Sequence, residues 1–158
     1  GVVGLRFFNS STQGVGDITI NASGTAFNTS SDYRLKENEV AISDGITRLK
    51  TLKPYRFNFK TDADTTVDGF FAHEVSSVVP EAISGTKDAM VVETRYTSDD
   101  AETQGDTPSK NVGDVKESSK IAPQGIDQSN LVPLLTAALK ESIAKIEALE
   151  ARVTTLEG

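Results

Sequence analysis

The sequence predicts an α+β chain with short fibre-type strands at the N-terminus, a mixed strand and helix domain after them, and a long C-terminal helix built for a coiled coil. Three observations carry this. Residues 1–30 are small, polar and punctuated by glycine, with apolar residues in alternation. At Ser31 charged and large residues appear and the chain reads as globular. From about Ser129 to Glu157, apolar residues recur with heptad spacing.

Taken in order, Gly1 to Phe8 reads as a strand and Asn9 to Gly16 as a Ser/Thr/Gly-rich turn. Asp17-Ile18-Thr19-Ile20-Asn21 alternates as a half-buried strand does. Ala22 to Thr25 turns the chain. Ser43 and Asp44 suit the N-cap of a helix over about 45–52, with Ile46, Leu49 and Leu52 on one stripe and Pro54 beyond its end. Tyr55 to Lys60 alternates, which directs Tyr55, Phe57 and Phe59 to a core. Residues 61–66 read as a polar turn, Gly69 to Ala72 as a buried strand, Glu74 to Val79 as a short helix ended by Pro80, and Ala89 to Thr94 as a further strand. Residues 97–119 are almost devoid of apolar side chains and read as a long exposed loop.

In the last segment, Val132, Leu139, Ile146 and Val153 stand seven apart. Leu135, Ser142, Leu149 and Leu156 repeat the spacing three residues later, with Ser142 the one polar break. Lys145 and Arg152 fall at g positions and Glu150 and Glu157 at the following e positions, so each basic side chain meets an acidic one on a neighbouring helix. Pro133 is compatible only in the first turn, where its missing N–H costs nothing. The pattern fits a dimer or a trimer.

Composition narrows the function. A chain of 158 residues that is 37% hydrophobic and lacks tryptophan buries a thin core alone. An obligate oligomer relieves that shortage. A net charge of −7 argues against a nucleic-acid surface and against an anionic membrane surface. Without cysteine there is no disulfide, thiolate metal site or cysteine nucleophile. No stretch approaches the roughly 18 apolar residues of a membrane span. His73 is the single histidine, and no phosphate-binding loop is present, so no metal and no cofactor is expected. Residue 1 starts mid-pattern, which suggests a piece of a longer protein.

One stretch carries chemistry: Ser30-Ser31-Asp32-Tyr33-Arg34-Leu35-Lys36-Glu37-Asn38. A serine hydroxyl is a poor nucleophile until a base takes its proton. A lysine amine serves when burial or a nearby positive charge keeps it neutral, and Arg34 is a candidate neighbour. Five residues along a straight strand put Ser31 and Lys36 on opposite faces, so a tight turn is needed to join them. From spacing alone, a capping Ser/Asp followed by solvated charges is the commoner arrangement.

Ser31 to Asn38 resembles the signature that opens the intramolecular chaperone domain of endosialidases, phage tailspikes and tail fibres, also classed as the S74 peptidase family. The resemblance continues through Leu52 to Phe59, Gly69 to Glu74, Val79 to Ala82, Pro123 to Asp127 and Leu131 to Leu135, roughly residues 30–147. It implies a homotrimer whose chaperone domain (31–158) registers three chains and folds the upstream fibre segment of the same chain. It implies that Ser31 then attacks the carbonyl of Ser30 with Lys36 as base, cutting between Ser30 and Ser31 once per chain. Asp32, Arg34, His73, Glu74 and Glu81 are candidate supporting groups, His73 by positioning the scissile bond. The trimer seam is Val132, Leu135, Leu139, Ile146, Leu149, Val153 and Leu156.

Residues 1–30 would be the end of the mature fibre in the virion, with Phe7, Phe8, Ile18, Ile20 and Phe27 in a shared core. The chaperone fragment would be made in the host cytoplasm and released. A host receptor would be met only through the mature fibre. The competing readings are a non-cleaving trimerisation module, a receptor-binding tip in residues 1–30, and the same module in a membrane-anchored transcription factor.

Overall fold

The computed structural model describes residues 2–97 and 111–158. The chain divides into two compact units, Gly1–Ala41 and Ile42–Gly158. The motif at Ser31 to Asn38 therefore belongs to the unit that holds the N-terminal strands.

The first unit is an antiparallel sheet in the order β1 (Val2–Phe8), β2 (Gly14–Asn21), β3 (Gly24–Thr29). The turn expected over residues 22–25 is shorter, and β3 is a strand the sequence reading did not contain. Its register aligns Phe27 with Ile18 and Gly16 with Thr29. Leu5 lies opposite Ile18 on the other side, so Leu5, Ile18 and Phe27 share one face. The opposite face is polar, with Asn28 Nδ2 donating to Asp17 Oδ1 at 2.8 Å and to Thr19 Oγ1 at 3.1 Å. On this face Leu5 is 52% and Phe27 79% exposed.

The second unit has a small core of Val75, Val79, Ala82, Leu131 and Leu134, against which Leu52, Phe70, Val78, Ile83 and Ile126 pack. Helix α1 (Gly45–Leu49) is shorter than expected, although turn hydrogen bonds continue to Leu52 and the Ile46, Leu49, Leu52 stripe is half-buried as read. Its cap is a correction. Asp44 makes no capping bond. Glu141 of the C-terminal helix accepts from Gly45 N–H at 2.5 Å and from Ile46 N–H at 3.2 Å.

Strands β4 (Tyr55–Phe59) and β5 (Asp62–Gly69) form a hairpin. Residues 62–66 are strand rather than turn, because cross-strand pairs stabilise a polar ladder: Arg56 with Asp68 and Asn58 with Thr66. A bulge between Asn58 and Phe59 leaves Phe59 exposed instead of in the core. The expected strand at 69–72 is also corrected. Gly69 closes the ladder opposite Tyr55, Phe71 is exposed, and Ala72 opens helix α2 (Ala72–Val75). Turn bonds carry α2 on to Val79, and Pro80 starts a 3₁₀ turn.

Three short antiparallel pairs follow: β6 (Ile83–Ser84) with β11 (Gly125–Ile126), β7 (Met90–Val91) with β10 (Lys120–Ile121), and β8 (Thr94–Arg95) with β9 (Val115–Glu117). The strand expected over 89–94 is thus two two-residue pieces. The long polar loop falls mainly on residues 98–110, outside the described residues, and its later part includes β9.

Asp127 caps a 3₁₀ turn, Gln128–Leu131, that leads into helix α3 (Val132–Glu157), with Pro133 in the first turn as expected. Helix α3 has two apolar stripes. Leu134 and Ala138 are buried against the rest of the unit. The heptad seam lies on a neighbouring stripe and is open, with Leu139 61% and Ile146 54% exposed. Ser142, the polar break, donates back to Ala138 C=O at 2.8 Å and so satisfies itself within the helix.

Helix α1 docks on α3 through Gly45. A Cβ there would lie 2.5 Å from Ala138 N and 2.8 Å from Ala137 C, both backbone atoms. Gly45→Ala is therefore expected to lower the stability of this unit by roughly 1–3 kcal/mol, an overpacking cost that chemical denaturation reads directly.

Candidate functional site

Asp32 determines the local fold of the motif. In extended conformation it caps a 3₁₀ turn over Tyr33–Leu35, and its Oδ1 accepts from Arg34 N–H at 2.9 Å. Leu35 N–H and Lys36 N–H close the turn on the carbonyls of Asp32 and Tyr33, each at 3.1 Å. That tight turn brings together the two groups that a straight strand would separate. Lys36 Nζ donates to Ser31 Oγ at 2.8 Å.

The neighbouring serine has different partners. Ser30 N–H donates to Val15 C=O at 3.0 Å, and Ser30 Oγ donates to Gly14 C=O at 3.2 Å. The two adjacent hydroxyls are thus distinguished by position: one faces a backbone carbonyl, the other an amine.

Arg34 does not act as the cation beside the amine. Its guanidinium grips Asp32 in a forked pair, Nε to Oδ1 at 3.0 Å and Nη2 to Oδ2 at 2.6 Å. This pair holds the Asp32 carboxyl below the usual carboxylate range, aided by the Arg34 backbone N–H, and raises Arg34. Asp32 and Arg34 are turn-forming residues here. Ser31, Lys36, Tyr33 and Leu35 are all exposed in the single chain, so the site is open to water on its own.

His73 and Glu74 belong to the second unit. The His73 ring stacks on Phe71, with centroids 6.0 Å apart and planes at 15°. Phe71 in turn contacts Tyr55 and Phe57. Glu74 Oε1 accepts from Lys53 Nζ at 3.0 Å and from Tyr55 Oη at 3.3 Å. The Lys53 bond holds Glu74 below the usual carboxylate range, against the upward push of burial. Tyr55 is raised, by burial first and by Glu74 second. No local sequence signal marks this triad, since Lys53 and Glu74 are 21 residues apart. Glu81 stands in the 3₁₀ turn Pro80–Ala82, where its carbonyl accepts from Asn130 Nδ2.

Residues 31–84 match the family model Peptidase_S74, chaperone of endosialidase. The match begins at Ser31, where the composition changes, and spans the motifs from Ser31 through Ala82. The motifs at 123–135 lie outside it. No curated protein matches the chain. One similar solved structure is the crystal structure of a novel intramolecular chaperon, at 19% identity and a TM-score of 0.45, covering 73% of this chain and 99% of that one. Among the described residues, no helix is long and apolar enough to cross a membrane, and no cluster of three or more potential metal ligands occurs.

The Glu74 triad has a pH signature. A carboxylate held below its ordinary range adds stability above that range and loses it as pH falls. Melting temperature is therefore expected to drop as pH falls from about 6 to 3, and Glu74→Gln should remove part of that drop. The difference between the two melting profiles is the measurement.

Proposed function

We propose that the chain is a homotrimeric intramolecular chaperone joined to the end of a phage tail fibre or tailspike, and that it releases itself by one cut between Ser30 and Ser31. The observation that carries the cleavage reading is the 2.8 Å contact between Lys36 Nζ and Ser31 Oγ inside the matched family segment.

The chemistry balances as an N-to-O acyl shift followed by hydrolysis. Neutral Lys36 takes the Ser31 hydroxyl proton as Oγ attacks the carbonyl carbon of Ser30. The C–N bond breaks, and the departing Ser31 nitrogen receives that proton. An ester now joins the Ser30 carbonyl to Ser31 Oγ. Water cleaves it, leaving a carboxylate on Ser30 and a free hydroxyl and amino terminus on Ser31. The nucleophile sits beside the bond it breaks, so each chain is cut once and no cofactor takes part.

A lysine acting as base must be neutral, and burial favours the neutral form. Assembly with neighbouring chains is the available source of that burial, because Tyr33, Leu35 and Val40 around the motif are exposed in one chain.

The assembly reading rests on α3. From Ile143 onward the helix is exposed on every side, about 22 Å of helix at 1.5 Å per residue. Its seam of Val132, Leu135, Leu139, Ile146, Leu149, Val153 and Leu156 is open, and an isolated helix gains little in water without an apolar face to pack. Partner helices on that seam complete the fold. The same logic applies to the open face of Leu5, Ile18 and Phe27, which three copies of the β1–β3 sheet would share as the fibre end. Once those strands interlock, the released fibre is kinetically trapped. Host attachment would then belong to the mature fibre.

Intact mass under denaturing conditions tests the cut. The parent chain is expected to yield a fragment beginning at Ser31, while Ser31→Ala and Lys36→Ala stay whole. An uncut parent that still sediments as a trimer would leave a non-cleaving trimerisation module. Separately, Leu139→Asp with Ile146→Asp should convert the trimer to monomer in sedimentation, whereas Ala144→Asp on the face opposite the seam should not.

A further inference from the structure

We propose that a cleft on the polar face of the β1–β3 sheet is a carboxylate site, which takes the new C-terminus that hydrolysis leaves on Ser30 and sets Arg6 against it as counter-ion. This rests on the cleavage reading above and concerns the product, not the cut.

The register puts Arg6, Asp17 and Asn28 on one rung, on the face opposite Leu5, Ile18 and Phe27. A cleft of about 360 Å³ opens beside that rung, and Arg6, Gly14, Asp17, Asn28 and Ser30 all line it. The Arg6 stem crosses β2 toward the Ser30 end of the sheet. A Cβ on Gly14 would stand 3.6 Å from Arg6 Cδ, and the carbonyl of the same Gly14 accepts from Ser30 Oγ at 3.2 Å. The guanidinium begins one bond beyond Cδ, so the cation lies beside the residue that anchors Ser30.

That cation is under-used. Among the described residues its ion partner is Asp17, whose Oδ2 lies 3.9 Å from Nη2, beyond hydrogen-bond distance. Asp17 Oδ1 is committed to Asn28 Nδ2 at 2.8 Å. A guanidinium presents a planar fork of donors that matches a carboxylate, and a single distant carboxylate leaves that fork open.

Before the cut, Ser30 ends in a neutral amide and makes no demand on the fork. In the hydrolysis described above, water adds to the ester carbonyl and Ser31 Oγ leaves as a hydroxyl. Ser30 keeps a carboxylate, and one proton passes to solvent. The new charge is one bond from the Cα of a residue already tied to β2 through its N–H and its Oγ. It therefore forms at the wall of a cleft that holds an unsatisfied cation. Docked there, it closes the end of β3 with an ion pair, and the mature fibre presents no loose terminus to exopeptidases.

Carboxypeptidase trimming at neutral pH reads the docking. Full-length parent, Arg6→Gln and Asp17→Asn are left to process, and loss of Ser30 from the N-terminal fragment is followed by mass. Arg6→Gln is expected to be trimmed at least about fivefold faster than the parent, the weight of a partly exposed charge-assisted bond. Asp17→Asn breaks the Arg6–Asp17 pair but keeps the guanidinium, and its rate is expected to stay within about twofold of the parent. A smaller effect of Arg6→Gln overturns the inference and leaves the cut intact. So does an Asp17→Asn chain trimmed as fast as Arg6→Gln, since Arg6 would then act only through sheet pairing. If Arg6→Gln fails to process, NMR titration of the isotope-labelled Ser30 carboxyl in the processed parent decides. Arg6 on β1 lowers that carboxyl, Asp17 on β2 raises it, and Asn28, Thr29 and Ser30 on the β3 side carry no side-chain charge. A midpoint below the ordinary α-carboxyl range of about 3.3–3.7 supports the site, and one inside or above it overturns the site. An uncut parent overturns the cleavage reading and this inference with it, an outcome distinct from a cut parent whose terminus is unprotected.

Discussion

Backbone meets backbone where Gly45 rests on Ala137 and Ala138, and the arrangement of the second unit follows from that contact. A helix that packs on its own domain and keeps a second apolar stripe open has to divide its circumference. Small residues at the contact keep the intramolecular share narrow. Ala138 and Leu134 are buried, and Glu141, one turn along, reaches the first two amides of α1. The adjacent stripe, from Val132 and Leu135 through Leu156, is left uncovered. A larger residue at position 45 would push α1 outward. The same carboxylate could then no longer satisfy the amides that Asp44 leaves unbonded.

The motif at Ser31 rests on a comparable economy. One carboxylate, Asp32, caps the turn, binds Arg34 N–H and grips the Arg34 guanidinium. The result is a short rigid loop in which a five-residue spacing becomes a 2.8 Å contact. It also means that the positive charge nearest in sequence is already neutralised. In the mechanism proposed above a neutral amine would then have to come from burial, and the motif is exposed in a single chain. The proposed chemistry and the proposed oligomer would thus be linked through solvent access.

Features carried by local sequence were legible before the structure. The heptad over α3, the placement of Pro133, the alternation of β4 and the need for a turn between Ser31 and Lys36 all follow from spacing and side-chain type. What could not be read depends on distant partners. Polar residues 62–66 form a strand because Arg56 and Asn58 wait across the hairpin. Phe59 leaves the core because of a bulge that nothing in its own alternation encodes. The cap of α1 comes from a residue 96 positions away. Within the site, spacing located Ser31 and Lys36 as a pair, and the resemblance of several motifs in order gave that pair meaning. The tie between Ser30 and β2 was invisible, since glycines in a strand read only as turn signals.

A protease acting on another molecule selects its bond with a pocket. In the cleavage proposed above the nucleophile adjoins its own scissile bond, and no pocket is required to explain a choice between Ser30 and Ser31. The two hydroxyls are chemically identical and one residue apart. They differ in what the fold sets against them. Ser30 Oγ is committed as a donor to a carbonyl that cannot accept its proton outright. Ser31 Oγ faces a nitrogen that can, once that nitrogen is neutral.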